Sequence, residues 1–252
     1  MSSLEILGCR LDPIDVDEAT ARILTLAREG RGEQVVTLGT EMVVYAQHDE
    51  RFRAIVNQSA LSLCDTVGLL AVARWRGAPL RGRVTGVELI DRLAAGAAAQ
   101  AIPVYLLGGA EGVAAEAAGV LQSRFPGLRV AGARSGYFRE DETPVAVETI
   151  AGSGARVLFA GMGSPRQEYW LAEHLRETGC GVGIGVGGSF DVIGGRIERA
   201  PQLVRKLGLE WFYRLVKEPR RWRRQLALPR FVWLIALDEL GIRPARKGTV
   251  GS

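Results

Sequence analysis

The sequence predicts an α/β fold in which a largely parallel sheet is covered by helices on both faces. Short apolar segments, typical of buried strands, alternate with helical segments along most of the 252 residues. Three of the apolar segments end in glycine-rich turns, at residues 108–109, 161–163 and 187–188. Because parallel strands present their carboxyl ends along one edge, these turns are expected to converge on one ligand crevice.

The predicted strands and helices alternate in chain order. Strands are predicted at residues 4–9, 34–38, 61–64, 103–107, 128–132, 157–160 and 181–186. Helices are predicted at residues 15–28, 49–58, 66–76, 87–100, 112–125 and 142–150, then from 164, at 203–216 and at 226–240. The apolar content of 47% is sufficient for a large core.

Asp15 and Asp17 open the first predicted helix and permit two interpretations. Asp15 has the position of an N-cap, with Glu18 three residues later. The same two aspartates form a D-x-D pair, with which many sugar transferases hold a divalent metal ion. The cap is preferred, because the pair precedes any nucleotide site and acidic residues are expected in a first helical turn.

Residues 157–170 carry the main functional motif. Four apolar residues at 157–160 predict a buried strand, and glycines at 161 and 163 allow a sharp turn. Ser164, Pro165 and Gln167 have the spacing of an N-cap, a first helical residue and a capping box. Such a unit binds phosphate through free N–H groups and the helix dipole. A tightly connected unit without a ligand is the alternative.

Three further side chains are candidates, each with a structural alternative. Asp65 follows the strand predicted at residues 61–64 and is either a helix cap or a catalytic carboxylate. Arg83 precedes a predicted helix and either is solvated or binds a phosphate. Tyr137 follows Gly136 in a loop and either lines a base or sugar pocket or packs on the domain.

Several classes of site are excluded or disfavoured. No G-x-x-x-x-G-K-[ST] motif occurs, and G-x-G-x-x-G is incomplete because Leu107 stands at its first glycine position. Three scattered cysteines and two histidines give no disulfide framework or metal-ligand spacing. With no apolar run of eighteen residues and no signal-peptide pattern, a spanning helix or secretion is not expected.

The two parts of the chain differ in charge. Residues 196–252 contain 14 Lys and Arg against 5 Asp and Glu, a net of +9, whereas residues 1–195 have 18 against 23, a net of −5. We therefore predict a catalytic domain at 1–195 and a basic, helical, membrane-associating appendage at 196–252. Binding of nucleic acid by this basic, aromatic-containing end is an alternative that leaves the glycine loops unexplained.

Ordered motifs across nearly the whole chain resemble those of the WecG/TagA/CpsF family of bacterial glycosyltransferases, also called glycosyltransferase family 26. They are Thr37, Asp65, RVTG at 83–86, LGG at 107–109, FPG at 125–127, GYF at 136–138, GMGSPRQE at 161–168, GGSFD at 187–191, RAP at 199–201, EWFYR at 210–214 and EPR at 218–220.

The resemblance implies a Rossmann-like fold and an inverting, metal-independent transfer from a UDP-sugar to a polyprenyl-diphosphate-linked acceptor in cell-surface polysaccharide synthesis. The sugar is N-acetylmannosamine, its uronic acid or glucose, and pathways include teichoic acid and exopolysaccharide. No cofactor and no nucleic acid is expected. The expected location is cytoplasmic, peripheral on the inner face of the cell membrane, and a homo-oligomer stays an open alternative.

The same resemblance suggests roles for individual residues. Asp65 is predicted to be the general base, Thr37 to orient a sugar and Arg83 to contact phosphate. Three arginines are predicted to neutralise the departing UDP: Arg214, Arg221 and Arg224. The residues predicted to bind the donor are Gly108, Gly109, Gly136, Tyr137, Gly161, Met162, Gly163, Pro165, Gln167, Glu168, Gly187 and Asp191, with Asp191 at the uridine part.

Two departures from the family pattern affect the expected sugar end of the crevice. The family usually has Thr-x-Asn, whereas Gly39 stands at the third position here; it usually has Asp-Gly, whereas Thr66 follows Asp65 here. The identity of the donor sugar therefore stays open. A Rossmann-type NAD(P)-dependent oxidoreductase, suggested by the glycine-ended strands, is the alternative function.

Overall fold

A computed structural model describes residues 3–198, 201, 204, 213 and 226–242. Its strands are β1 (Leu4–Ile6), β2 (Cys9–Leu11), β3 (Glu33–Leu38), β4 (Leu61–Cys64), β5 (Val104–Gly108), β6 (Val130–Arg134), β7 (Val157–Gly161) and β8 (Val182–Gly185). Strands β3 to β8 form one sheet in the order β4-β3-β8-β7-β5-β6, and every neighbouring pair is parallel. The predicted fold class is confirmed, and all six carboxyl ends lie along one edge.

The helices described are α1 (Val16–Glu29), α2 (Thr40–Tyr45), α3 (Glu50–Gln58), α4 (Val67–Trp75), α5 (Gly86–Ala99), α6 (Val113–Arg124), α7 (Thr143–Ser153), α8 (Arg166–His174), α9 (Ser189–Ile193) and α10 (Ala227–Glu239), with a 3₁₀ turn at Glu140–Glu142. None of these helices is long and apolar enough to cross a membrane.

Helices cover both faces of the sheet. On one face, α1, α5, α6 and α9 pack against strand residues that include Val35 and Phe159. On the other face, α2, α3, α4 and α10 pack against Val36, while α7 and α8 pack against Leu158. Successive residues of a strand point to opposite faces, so a sheet covered twice requires strands that are apolar throughout.

The first element differs from the prediction of one strand at residues 4–9. The chain instead forms an antiparallel hairpin of β1 and β2. Its turn lies at Leu7 and Gly8, whose φ angles are 51° and 81°. Apolar residues continue through this turn, which hides it in the sequence. Strand β6 also begins two residues later than predicted, which places Ser135 directly after it.

The cap interpretation of the first acidic pair is confirmed. Asp15 accepts a hydrogen bond from the backbone N–H of Glu18 at 2.9 Å, and α1 begins at the next residue. Asp17 points outward, with an N–O distance of 3.5 Å to Arg92. Among the described residues, no three His, Cys, Asp or Glu side chains are grouped closely enough to hold a metal ion.

Helix α10 lies on the core although it comes from the basic end of the sequence. Its buried side chains, Phe231, Leu234 and Ile235, belong to the same apolar cluster as Met42 on α2 and Leu69 on α4. Residues 226–242 are therefore in contact with the sheet domain.

An ion-pair group at the end of α10 strengthens this contact. The Arg76 guanidinium, which follows α4, lies 2.6 Å from Asp238 and 2.8 Å from Glu239. These hydrogen bonds outweigh partial desolvation and raise the pKa of Arg76. Packing and charge thus hold α10 against the domain at the same place.

Candidate active site

Most of the described candidate residues lie at or just after the carboxyl ends of the parallel strands. The strands β5 and β7 approach most closely there. The N–H of Gly109 donates to the carbonyl of Gly161 at 3.0 Å. A Cβ atom on Gly108 would lie 2.5 Å from the backbone of Gly161, so neither strand end has room for a side chain at this point.

The loop after β6 joins the same group of glycines. The N–H of Gly136 donates to the carbonyl of Gly109 at 2.9 Å. A Cβ atom on Gly136 would lie 2.9 Å from both the Cα of Gly108 and the Cγ of Met162. Gly136 therefore contacts three other candidate donor-binding residues. It meets the backbones of Gly108 and Gly109 and the side chain of Met162.

The turn after β8 completes the glycine group. A Cβ atom on Gly161 would meet the ring of Phe190 at 2.8 Å and the carbonyl of Gly187 at 3.0 Å. Gly163 and Gly187 both have left-handed backbones, with φ of 80° and 54°, which glycine adopts without strain. The expected convergence of the three glycine-rich strand ends is thus observed.

The Gln167 side chain connects two of these turns. It is buried, with an exposed fraction of 3%. Its Oε1 accepts from the N–H of Gly163 at 3.2 Å and from the N–H of Gly187 at 3.0 Å. Its Nε2 donates to Oε1 of Glu168 at 2.7 Å. Both ends of this amide are thus used within the protein.

The predicted capping box at Ser164 and Gln167 is wrong. Helix α8 begins at Arg166, Pro165 occupies the cap position, and no side chain caps the helix. The Gln167 side chain is directed to Gly187, twenty residues later, instead of back to the helix start. A local sequence pattern cannot reveal this long-range partner.

Glu168 is fully buried next to Gln167. Burial raises the pKa of its carboxyl group, and this effect exceeds the lowering by hydrogen bonds from Gln167 and Ser164. Among the described residues, no cation pairs with it. The carboxyl therefore lies inside the scaffold beneath the glycine turns.

Thr37 lies near the end of β3 and is also buried, with an exposed fraction of 8%. Its hydroxyl donates to the carbonyl of Gly185 at the end of β8, at 2.8 Å. This bond adds to the ladder between β3 and β8 at the edge where the site residues meet. The side chain that was predicted to orient a sugar thus also has a scaffold partner.

Asp65 and Arg83 are brought together by the backbone. The backbone N–H of Asp65 donates to the carbonyl of Leu38, at the end of β3, at 3.0 Å. The backbone N–H of Val84 donates to the carbonyl of Cys64 at 2.7 Å. The cap residue of α4 is Thr66, so Asp65 precedes the cap position. The alternative that Asp65 is a helix cap is therefore not supported.

The charges of Asp65 and Arg83 both act on the Cys64 thiol. Burial raises the pKa of Cys64 to about 12, and the carboxylate of Asp65 adds to this rise. Arg83 and Arg74 oppose it. An acidic side chain and a basic side chain therefore both lie within electrostatic range of Cys64 at the end of β4.

The loop at Arg83 is also held against the turn after β8. A Cβ atom on Gly86, the first residue of α5, would lie 2.7 Å from Oγ of Ser189 and 3.1 Å from the carbonyl of Val186. This close approach joins the Asp65 side of the sheet edge to the glycine group.

A cleft of about 360 Å³ lies beside the glycine group. Its lining includes Glu111, Gly112, Arg134, Ser135, Tyr137 and Glu142. The Tyr137 side chain is 79% exposed, so of its two predicted alternatives, packing on the domain is excluded. An exposed aromatic ring at a cleft next to backbone N–H groups is suited to a ligand with a flat ring and an anionic group.

Sequence reasoning missed Arg166, which holds the loop that carries Tyr137. Its Nη2 donates to the carbonyl of Phe138 at 2.9 Å, and its guanidinium lies 5.2 Å from the centre of that ring. Arg134 approaches the same ring at 5.6 Å. The position of Arg166 inside the motif at 161–168 was the available signal.

The remaining candidates lie towards the basic end. Asp191 is half-buried on α9, and its carbonyl accepts from Ile197 at 3.0 Å. Arg196 forms an ion pair with Glu116 on α6, with N–O distances of 2.6 and 2.7 Å. Arg214, Arg221 and Arg224 lie outside the described residues.

Comparisons with known proteins agree with the motifs. The family model described as "Glycosyl transferase WecG/TagA/CpsF family" matches residues 4–245. A relative from Bacillus spizizenii is 33% identical over 215 residues, which cover 85% of this chain and 83% of the relative. That protein is named N-acetylglucosaminyldiphosphoundecaprenol N-acetyl-beta-D-mannosaminyltransferase. A match along nearly the whole chain decides against the oxidoreductase alternative, and the chain is a glycosyltransferase of the WecG/TagA/CpsF family.

Proposed function

We propose that this glycosyltransferase transfers N-acetylmannosamine from a UDP donor to an N-acetylglucosamine acceptor linked to a polyprenyl diphosphate. The single observation that carries the proposal is the group of glycine backbones at the sheet edge, flanked by Asp65 on one side and by the Tyr137 cleft on the other. The choice of sugar and acceptor follows the name of the Bacillus spizizenii relative.

The glycine group is suited to the UDP part of the donor. Close-packed glycine backbones let a phosphate group approach the strand ends, and a Cβ atom would block this approach. Tyr137 then contacts the uridine from the cleft, and the Asp191 carboxylate accepts from ribose hydroxyls or the uracil N–H. Gly163→Val is expected to abolish UDP binding in a folded protein; unchanged UDP affinity would rule out this pocket.

The chemical step requires a base next to the acceptor. In an inverting transfer the acceptor oxygen attacks C1 from the face opposite UDP, and the bond from C1 to the UDP oxygen breaks. The electron pair leaves with UDP, and Asp65 takes the proton of the attacking hydroxyl. Arg83, whose charge like that of Asp65 acts on Cys64, is suited to contact the phosphate.

Thr37 is left with a restricted role in this scheme. Its hydroxyl proton is used in the bond to Gly185, so towards a substrate it acts as an acceptor. We therefore assign it the orientation of a sugar hydroxyl. The departing negative charge is assigned to Arg214, Arg221 and Arg224, which requires no metal ion.

The two departures from the family pattern contact each other. A Cβ atom on Gly39 would lie 3.4 Å from the Thr66 methyl group. The family usually has the larger residue at the first position and glycine at the second, so this chain exchanges their sizes. We propose that the pair shapes the sugar end of the crevice, and that Gly39→Asn with Thr66→Gly changes the preference among UDP-sugars.

We also propose that the basic end brings the enzyme to the inner face of the cell membrane. In support, Val232 and Trp233 on α10 and Leu240 directly after it are exposed, with 60%, 64% and 71% of their surfaces accessible. Indole rings favour the headgroup level, and each basic residue near an anionic surface contributes about 1 kcal/mol. Sedimentation with anionic liposomes tests this, with neutral liposomes as the control.

The deciding experiment is a transfer assay with a short prenyl-diphosphate N-acetylglucosamine analogue and a panel of UDP-sugars. UDP-N-acetylmannosamine is expected to be the best donor, with an inverted anomeric centre in the product and full activity in EDTA. Retention of configuration would exclude the direct displacement, and loss of activity in EDTA would contradict metal independence. If transfer occurs only from another UDP-sugar, the proposed donor sugar is wrong, whereas the proposed type of reaction is retained.

A further inference from the structure

We propose that Glu168 is a positioning residue: its carboxyl group fixes the orientation of the Gln167 amide, which in turn holds the turns after β7 and β8 together. The two turns are residues 161–163 and 186–188. Through these turns Glu168 controls donor affinity, a consequence that rests on the proposed UDP site.

An amide side chain has one accepting and one donating end, so its orientation decides what it can bind. The backbone N–H groups of Gly163 and Gly187 are both donors and require the oxygen end of Gln167. The carboxyl oxygen of Glu168 takes the nitrogen end at 2.7 Å. If the amide were reversed, its NH₂ group would face two donors and each would lose its acceptor.

The surrounding space keeps this pair in place. A Cβ atom on Gly185 would lie 2.6 Å from Nε2 of Gln167 and 2.9 Å from Oε1 of Glu168. The carbonyl of Gly185 is the acceptor for the Thr37 hydroxyl. The amide and the carboxyl thus lie against strand β8 at the residue whose carbonyl accepts from Thr37.

The burial of Glu168 argues against a purely packing role. Burying a carboxyl group costs stability unless it is hydrogen-bonded, and an apolar side chain would fill the same space without that cost. An apolar residue could not supply the acceptor for the Ser164 side chain. Nor could it supply the acceptor for Gln167, the side chain that connects the two turns. This acceptor is therefore the function that we assign to Glu168.

Two substitutions separate the acceptor from the size of the side chain. Glu168→Met removes the acceptor and keeps the length, so UDP affinity is expected to fall about tenfold, since two partly buried N–H groups lose a fixed partner. Glu168→Gln keeps an acceptor and is expected to retain UDP affinity within about twofold. The control is Glu173→Gln, which removes an exposed carboxylate from the helix that carries Glu168; Glu173 pairs with Arg51 on α3.

Two measurements distinguish positioning from general loss of stability. UDP affinity is measured by calorimetry, and the amide proton shifts of Gly163 and Gly187 by NMR. Both shifts are expected to move upfield together in Glu168→Met and to stay in place in Glu168→Gln. Shifts that stay unchanged in Glu168→Met overturn the inference, because the amide then keeps its orientation without Glu168.

A double-mutant cycle with Gln167→Met gives the second test. If Glu168 acts through Gln167, Glu168→Met has no further effect on UDP affinity once Gln167 is replaced. Additive losses overturn the inference. Should Glu168→Met fail to fold, Glu168→Gln decides: a tenfold loss of affinity in that folded variant contradicts the acceptor role. Absence of UDP binding by the wild type would sink the proposed donor site, and the NMR shifts would still test the positioning.

Discussion

The sheet edge has two halves that are built differently. At the ends of β5, β6, β7 and β8, which we call the glycine half, backbones touch and side chains are excluded at Gly108, Gly136 and Gly161. At the ends of β3 and β4, which we call the side-chain half, Thr37 and Asp65 project from ordinary strand ends. In the glycine half, an added side chain would therefore clash with a neighbouring backbone. In the side-chain half, a functional group such as the Asp65 carboxylate can be replaced without disturbing the fold.

The largest effect is expected in the side-chain half, from Asp65→Asn. Turnover should fall about 10²–10⁴-fold, which is the usual contribution of a general base. The asparagine keeps the size of the side chain, so UDP affinity should be retained. Steady-state kinetics at saturating acceptor and calorimetry with UDP measure the two effects. Asp17→Asn, at an exposed aspartate, is the control; near-wild-type turnover of Asp65→Asn would remove the base from the mechanism.

The next effect is expected in the glycine half, from Gly108→Ala. The new Cβ would overlap the backbone of Gly161, and φ at this position is +155°. We expect a loss of about 2–4 kcal/mol in the free energy of unfolding, measured with urea. Gly119→Ala in α6 is the control, since its Cβ meets nothing within 4 Å. That control should gain about 0.5–1 kcal/mol.

These two results would separate the halves clearly. If Gly108→Ala is as stable as the wild type, close backbone contact is not the reason for glycine at this position. The two halves would then not differ in the way proposed. If Asp65→Asn is destabilised as much as Gly108→Ala, the side chain of Asp65 is also needed for the stability of the fold.

The two halves were also unequally predictable from the sequence. Glycine-ended strands and Asp65 were found because each is a local pattern of residue types next to an apolar run. The sheet order and the bond from Gln167 to Gly187 depend on pairings between distant residues, which no local pattern encodes. Strand β6 was misplaced by two residues because it lies at the edge of the sheet and is only partly buried.

A smaller effect is expected from Arg166→Met, which tests whether the glycine half depends on side chains outside it. This change removes the hydrogen bond to Phe138 and the contact with its ring. UDP affinity is expected to weaken about fivefold, in line with about 1 kcal/mol for such contacts. Arg176→Met, on an exposed side chain after α8, is the control. Unchanged affinity for UDP would show that the Tyr137 loop needs no support from α8.

The smallest effect is a pH dependence of stability that arises from Glu168. Because burial raises the folded-state pKa above the ordinary glutamate value, protonation favours the folded state. The resulting stability is complete below the unfolded pKa of about 4.3 and is lost as pH rises through the folded pKa. The unfolding free energy of the wild type should therefore fall relative to Glu168→Gln as pH rises above about 4.

Urea unfolding of both proteins from pH 4 to 8 measures this difference. Glu173→Gln serves as the control for the loss of an exposed carboxylate from the same helix. A constant difference between the wild type and Glu168→Gln would show that the buried carboxyl does not titrate differently in the two states.

The contacts of Arg196 and α10 have a consequence for the design of shortened proteins. Residues 199–225, which hold the three candidate arginines, are bounded by the Arg196–Glu116 ion pair on one side and by α10, packed on the core, on the other. A truncation at residue 196 would delete these arginines and also strip Phe231, Leu234 and Ile235 from the core. An internal deletion that joins residue 198 to residue 226 through a Gly-Ser linker keeps these three core side chains in the chain. Only this shortened chain separates a catalytic need for the arginines from simple exposure of apolar surface.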